Sequence, residues 1–140
     1  MRISSRLWWS FPTTQECDDG VLVRASQEIF HFDLEDWRSL KFFFQLTDVD
    51  ARSGPHVYVR QSHRLRGLQH QFTILKSKPE KDILSYYGKD RLVHVCGPAG
   101  FGVAEDPFGY HMGTVAKDRP RLMLDVEFGI SPSRIRHLSN

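Results

Sequence analysis

The chain has 140 residues, enough for one domain with a real core, and the expectation is a single domain over 1–140. Its 40% hydrophobic and 26% charged content is ordinary for a globular protein. A net charge of +2 with scattered basic residues gives no phosphate-tracking stripe, since Arg60, Arg64 and Arg66 form too small a cluster, and no apolar run approaches the roughly 20 residues of a membrane span.

The start, Met1 to Phe11, carries Arg2 and Arg6 but no long apolar segment or small-residue cleavage site, so no signal peptide is expected. Trp8, Trp9 and Phe11 read as core of a first strand. Cys17 and Cys96 lack metal-type spacing and are expected as free thiols in a reducing cytoplasm, with a disulfide left open. Val21–Val23 and Glu28–Phe32 read as strands. Asp33–Ser39 is an acidic loop or single turn. Leu40–Val49 is the strongest strand. Its Phe42, Phe44 and Leu46 share one face; Lys41, Phe43, Gln45 and Thr47 share the other. Three consecutive phenylalanines predict burial on both sides.

Asp50–Pro55 is a turn punctuated by Gly54-Pro55, and His56–Arg60 alternates as a strand. From Gln61 to about Gly88 the polar composition predicts loop and one short helix, Pro79–Tyr87. Arg91–Cys96 and Phe101–Ala104 are further strands, and Asp106–Gly109 is a turn. Arg121–Ile130 is the last strand. Many short strands without long helices predict an all-β sandwich or barrel rather than βαβ units.

One pair of fragments carries chemistry. His31-Phe32-Asp33 stands 80 positions before His111, which is followed by Arg121. Two histidines and a carboxylate are the ligand set of a non-haem Fe(II) oxygenase. With 7 His and 17 Asp+Glu, chance alone supplies about one His-x-acid pair, and one is present. On that count an ordinary polar pair at a strand end is the better reading. Residues two apart on a strand do share a face, so His31 and Asp33 could grip one ion, with His111 arriving from a distant strand.

The order of phrases resembles the phytanoyl-CoA dioxygenase family over roughly Trp8 to Ser131. The phrases are Phe30-His31-Phe32-Asp33, Leu40 through Leu46-Thr47-Asp48-Val49, Gly54-Pro55-His56, Ser62-His63-Arg64, Tyr110-His111-Met112-Gly113 and Arg119-Pro120-Arg121. The resemblance implies a double-stranded β-helix, a jelly-roll or cupin-like barrel. It implies a non-haem Fe(II)/2-oxoglutarate-dependent dioxygenase that hydroxylates a small organic molecule, using O₂. His31, Asp33 and His111 would be the catalytic metal ligands. Arg121 would receive the far carboxylate of 2-oxoglutarate, with Arg119 as its competitor. Lys41 and Gln45 would touch co-substrate or substrate, and Thr114 is a weaker candidate. Related iron halogenases lack the carboxylate ligand, so Asp33 implies a hydroxylase. His63 is expected as a structural loop residue, and His56, His70, His94 and His137, which have no partner pattern, as surface or core histidines.

The chain departs from the family pattern in places. Only about 30 residues precede His31, so the domain reads as N-terminally short: either a minimal or truncated member, or one whose sheet edge is covered by a homo-oligomer or another partner. Gln61 stands where the family usually has Gly, so that turn is expected to differ. Ala104 to Tyr110 is close to the family phrase without matching it. Two alternatives remain open: a cupin-like metal-binding barrel without 2-oxoglutarate, and a truncated, inactive barrel acting as a binding module. The substrate stays open, because specificity in such barrels lies in loops.

Overall fold

Alternation along the longest strands decides the architecture. The computed structural model describes residues 1–12, 29–34, 36, 38–67 and 77–131. The strands are β1 (Arg2–Ser10), β2 (Phe30–His31), β3 (Ser39–Gln45), β4 (His56–Val59), β5 (Ser77–Lys78), β6 (Leu92–Val95), β7 (Gly102–Glu105), β8 (His111–Met112) and β9 (Arg121–Gly129). One helix, α1 (Glu80–Tyr87), lies between β5 and β6. The strands form two antiparallel sheets, β1-β9-β3-β7 and β5-β2-β8-β4-β6. This is the mainly β, jelly-roll-type sandwich that the sequence predicts, with a short helix where one is expected. The expected strand Val21–Val23 lies outside the described residues, as do Cys17, His70 and His137.

In β9, Arg121, Met123, Asp125 and Glu127 are buried, while Leu122, Leu124, Val126 and Phe128 are half-buried. In β3 the buried residues are Lys41, Phe43 and Gln45. Register pairs these rows: Lys41 lies between Glu105 of β7 and Glu127 of β9, and Phe43 lies opposite Asp125. The first sheet therefore turns a largely polar face inward and an apolar face outward. The expectation that Leu40–Val49 is buried on both sides is corrected, since Phe44 is 37% exposed and Leu46 is 43% exposed. Trp9 and Phe11 are likewise not core. They stack on each other on the outer face, and only Trp8 points inward, edge-on to Phe43.

The apolar core lies beyond the second sheet. Phe30, Val57, Val59 and Met112 leave that sheet on the side away from the first and pack with Ile83 and Tyr87 of α1, and with Phe32 and Tyr110. Ile83 and Tyr87 are four apart, so one face of a two-turn helix supplies both. Full burial of Ile83 contributes about 2 kcal/mol. Pro79 precedes the helix, and Gly88 ends it at φ 83° with its N–H bonded to Leu84 O. No helix among the described residues is long and apolar enough to cross a membrane.

The two sheets thus enclose a polar interior, and the hydrophobic packing that holds the second sheet is displaced to its far side. That separation lets ionisable groups face one another without interrupting the core.

Candidate metal centre

His31 on β2 and His111 on β8 are direct cross-strand partners. Their rings stand 4.5 Å apart. Although β2 ends at His31, the Asp33 N–H bonds to Pro107 O at 2.9 Å, which keeps Asp33 beside the pair. One ligand atom from each of His31, Asp33 and His111 falls within 4.8 Å of the others. His111 Nε2 lies 3.8 Å from Asp33 Oδ2.

Backbone carbonyls fix both rings in the same way. His31 Nδ1 donates to Ile29 O and His111 Nδ1 donates to Gly109 O, each at 2.9 Å. A carbonyl oxygen only accepts, so the proton sits on Nδ1 and Nε2 is left as the ligand atom. Burial pushes His111 down to about 4, which favours the neutral, ligating ring near neutral pH. The donor set therefore fits a divalent first-row cation with open positions for small ligands.

Lys41 rises from the first sheet to pair with Asp33. Burial opposes ionisation of Asp33, but the positive charge of His111 when protonated and of Lys41 outweighs it and holds the carboxyl below its ordinary value. Burial opposes the Lys41 ammonium as well, and Asp33, Asp125 and Glu127 overcome it and raise the lysine.

Arg121 opens β9 on the inner face and is only 5% exposed. Its Nη1 donates to Gly54 O and its Nη2 to Ser10 Oγ at 3.2 Å. Its Nε is buried with no hydrogen-bond partner among the described residues. No carboxylate of the described residues pairs with it, and burial alone pushes it down to about 10. Arg119 is different: it turns to the surface and pairs with Asp50 at 2.7 Å.

The remaining candidates fall into place around this axis. Gln45 is buried and donates to Val95 O at 2.7 Å, tying the first sheet to the second. Thr114 Oγ1 donates to Pro55 O at 2.7 Å. His63 lies 3.4 Å from the Tyr58 hydroxyl and is not part of the His31–Asp33–His111 group, and His94 is exposed. Cys96 is an exposed free thiol.

His56 is a core histidine, one of the two places expected for it, and it has a partner that its sequence neighbourhood does not show. It is buried on β4 and its Nε2 lies 2.7 Å from Glu105 Oε2 of the facing sheet. Its position after Gly-Pro, on a strand whose other face is Val57 and Val59, is the signal that marks it as inward-facing. Gln61 sits at φ 63°, the left-handed backbone that a glycine adopts most readily.

No protein-family model and no curated protein matches the chain. Among solved structures, EvdMO1 is similar, with a TM-score of 0.55 and 15% sequence identity. The match covers 94% of this chain, which spans only 28% of the length of EvdMO1. At this identity the likeness concerns the fold.

Proposed function

We propose that the chain is an Fe(II)/2-oxoglutarate-dependent oxygenase of the phytanoyl-CoA dioxygenase type, hydroxylating a small organic molecule in the cytoplasm. The observation that carries this reading is the Arg121 guanidinium, buried with no carboxylate partner among the described residues, on the inner wall that faces His31, Asp33 and His111. A buried cation without a counter-ion is costly, and an anionic ligand offsets that cost. A dicarboxylate reaching from the centre to Arg121 answers both ends at once.

When bound, the iron would supply oxygen activation, coupled to oxidative decarboxylation of 2-oxoglutarate to succinate and CO₂, with one oxygen atom passing to the substrate as a hydroxyl. The chain's own residues do the rest. His31 and His111 present Nε2 because Ile29 O and Gly109 O hold their Nδ1 protons. Asp33 supplies the anionic ligand, steadied by Lys41. Arg121, steadied by Gly54 O, would receive the far carboxylate through two parallel hydrogen bonds. Phe43, Met123 and Trp8 on the inner wall limit water around these groups.

The test is an anaerobic titration of the Fe(II)-loaded protein with 2-oxoglutarate. A weak visible charge-transfer band that grows to saturation is expected. Iron binding without a band would sink the 2-oxoglutarate assignment in favour of a metal-binding barrel of another kind, and no iron binding would sink the metal reading altogether.

A further inference from the structure

We propose that the outer face of the first sheet is the contact surface between two copies of this chain, packed sheet on sheet about a twofold axis. This stands apart from the oxygenase reading, and it concerns the face of the sheet rather than its edge. The register defines the face row by row. Ile3 of β1, Phe128 of β9 and Leu40 of β3 lie side by side. Ser5, Val126 and Phe42 form the next row, which Ala104 of β7 continues. Leu7, Leu124 and Phe44 form the third, which Gly102 ends. Trp9 lies opposite Leu122, whose carbonyl accepts the N–H of Leu46 at 2.9 Å. Four strands thus present one continuous surface on which no side chain is charged and Ser5 alone is polar.

Two packed sheets ordinarily bring their apolar faces together. Here the inner face of the first sheet is taken by Lys41, Arg121, Asp125 and Glu127, so its apolar face is left outside. Ile3, Leu7 and Trp9 on β1 and Leu40 and Phe44 on β3 are all exposed, Leu7 by 62%. With Phe11 and Leu46, their exposed parts amount to on the order of 700 Å². That exceeds the roughly 300–600 Å² of the largest apolar patch on a typical monomer and approaches the roughly 800 Å² per partner of a stable complex. Trp9 and Phe11, stacked with centroids 5.6 Å apart, supply the aromatic anchor common in such interfaces. Charge decides the occupant. A different protein is selected through complementary charge, and this face offers none. Surfaces that lie on a membrane ring their apolar patch with Lys and Arg, whereas Arg2, Arg6 and Lys41 of these strands pair with Glu127, Asp125 and Asp33 on the inner side. A second copy needs no charge: in an isologous contact the uncharged face meets itself, with no like charges opposed. Its twist matches as well, because sheets of equal right-handed twist pack aligned at about −30°.

The experiment is sedimentation velocity on the full chain at concentrations above and below about 1 μM, with hydroxyl-radical footprinting at both ends of the range. A closed dimer with a Kd of about 1 μM or tighter is expected, the weak end for an interface of this area. Leu7, Trp9 and Phe44 are expected to be protected from the radical in the concentrated sample and reactive in the dilute one. Leu7→Glu and Phe44→Glu each set a charge within the face at a solvent-exposed position. Each is expected to weaken the dimer at least about a hundredfold with an unchanged circular dichroism spectrum. If either variant does not fold, the footprint of the parent carries the comparison by itself. A parent that stays monomeric throughout overturns the proposal. So does a dimer that survives Phe44→Glu and leaves Phe44 reactive, because β3 lies inside the sheet and such a dimer would pair through an edge strand. Mass that grows past the dimer overturns the twofold closure. A monomer that binds phosphatidylcholine vesicles assigns the face to lipid and overturns it as well.

Discussion

Arg121 and Gly54 hold each other from opposite sides of the interior: the guanidinium donates to the Gly54 carbonyl oxygen, and Gly54 reaches it only because its backbone sits at φ 71°. A Cβ at that position would stand 2.6 Å from Thr114 O and 2.7 Å from the Ala116 backbone nitrogen. Gly54→Ala is therefore strained twice, by the left-handed backbone and by a clash with main chain that has little room to give. A loss on the order of 2–3 kcal/mol is expected, seen as a Tm drop of roughly 5–15 °C. A Tm within a degree or two of the parent would show that the turn has another backbone solution.

Arg121→Met separates the two halves of the candidate site. Metal affinity should be unchanged, because Arg121 touches none of His31, Asp33 or His111. The 2-oxoglutarate affinity should fall by about a hundredfold or more, the loss of a buried charge-assisted pair. Calorimetry with Mn(II), followed by the anaerobic ligand titration, reads both. A drop in metal affinity equal to the drop in ligand affinity would sink the division of roles.

Asp33 and Lys41 should behave as a coupled pair. Asp33→Ala removes a ligand and should weaken Mn(II) binding by about a hundredfold or more. It also strands the Lys41 ammonium, which is only 4% exposed, although Glu105, Asp125 and Glu127 lie around it. A stability loss of about 2–3 kcal/mol is expected, smaller than for a wholly isolated buried charge. Adding Lys41→Met should restore much of that stability and none of the metal affinity. Chemical denaturation of the two single variants and the double variant gives the coupling directly. Strict additivity would mean that the pair contributes nothing in the folded chain.

Acid should unfold the metal-free protein well before ordinary carboxylates are all protonated. Burial holds His111 down to about 4 in the folded chain, against the ordinary 6.5 of a histidine. Between those values the unfolded chain binds the extra proton, so unfolding becomes harder as pH rises across that interval. The stability is fully present above pH 6.5 and is lost as pH falls towards 4, by an amount on the order of 3 kcal/mol. Asp33 and Glu105, both held below their ordinary values, extend the loss further into acid in the same direction. Thermal unfolding of chelator-treated protein from pH 7 downward, followed by circular dichroism, should show a steep fall in Tm within this window. A flat profile through it would show that His111 is not buried as a neutral ring.

Gln61→Gly should stabilise the chain by about 0.5–1 kcal/mol, because glycine adopts the left-handed backbone without a Cβ penalty. The opposing loss is the exposed hydrogen bond that Arg91 donates to Gln61 Oε1 at 2.7 Å. A lower Tm for Gln61→Gly would mean that this bond outweighs the strain.

Much of this arrangement is legible in the sequence. Period-two patterning marks β3, β4 and β9, and the same period places Lys41, Phe43 and Gln45 on one face before any coordinate is known. His31 and Asp33 follow from two-residue spacing. What escapes has physical causes. β5 and β8 are two residues long, too short for any period to register, so the strand that delivers His111 is asked for by the ligand set and not marked by its own residues. Trp9 and Phe11 mislead because apolar side chains are assumed to face the core, whereas the inner wall of this sheet is reserved for ionisable groups. Glu105 escapes because its partner, His56, is 49 residues away in sequence and on the other sheet.

The first sheet's outward apolar face has a consequence for how β1 finds its place. Ile3, Leu7 and Trp9 point away from the interior and are at least 50% exposed. Sliding β1 by one residue along β9 would turn all three inward and gain burial, so hydrophobicity argues for the wrong alignment. What argues for the right one is charge: Arg2 meets Glu127 at 3.0 Å and Arg6 meets Asp125 at 2.9 Å, and both pairs vanish on a one-residue slip. Alignment of this edge strand is thus proofread by ion pairs, which salt screens and acid removes. The fidelity of folding, and not only the strength of the folded state, becomes a property of the solvent in which the chain first collapses.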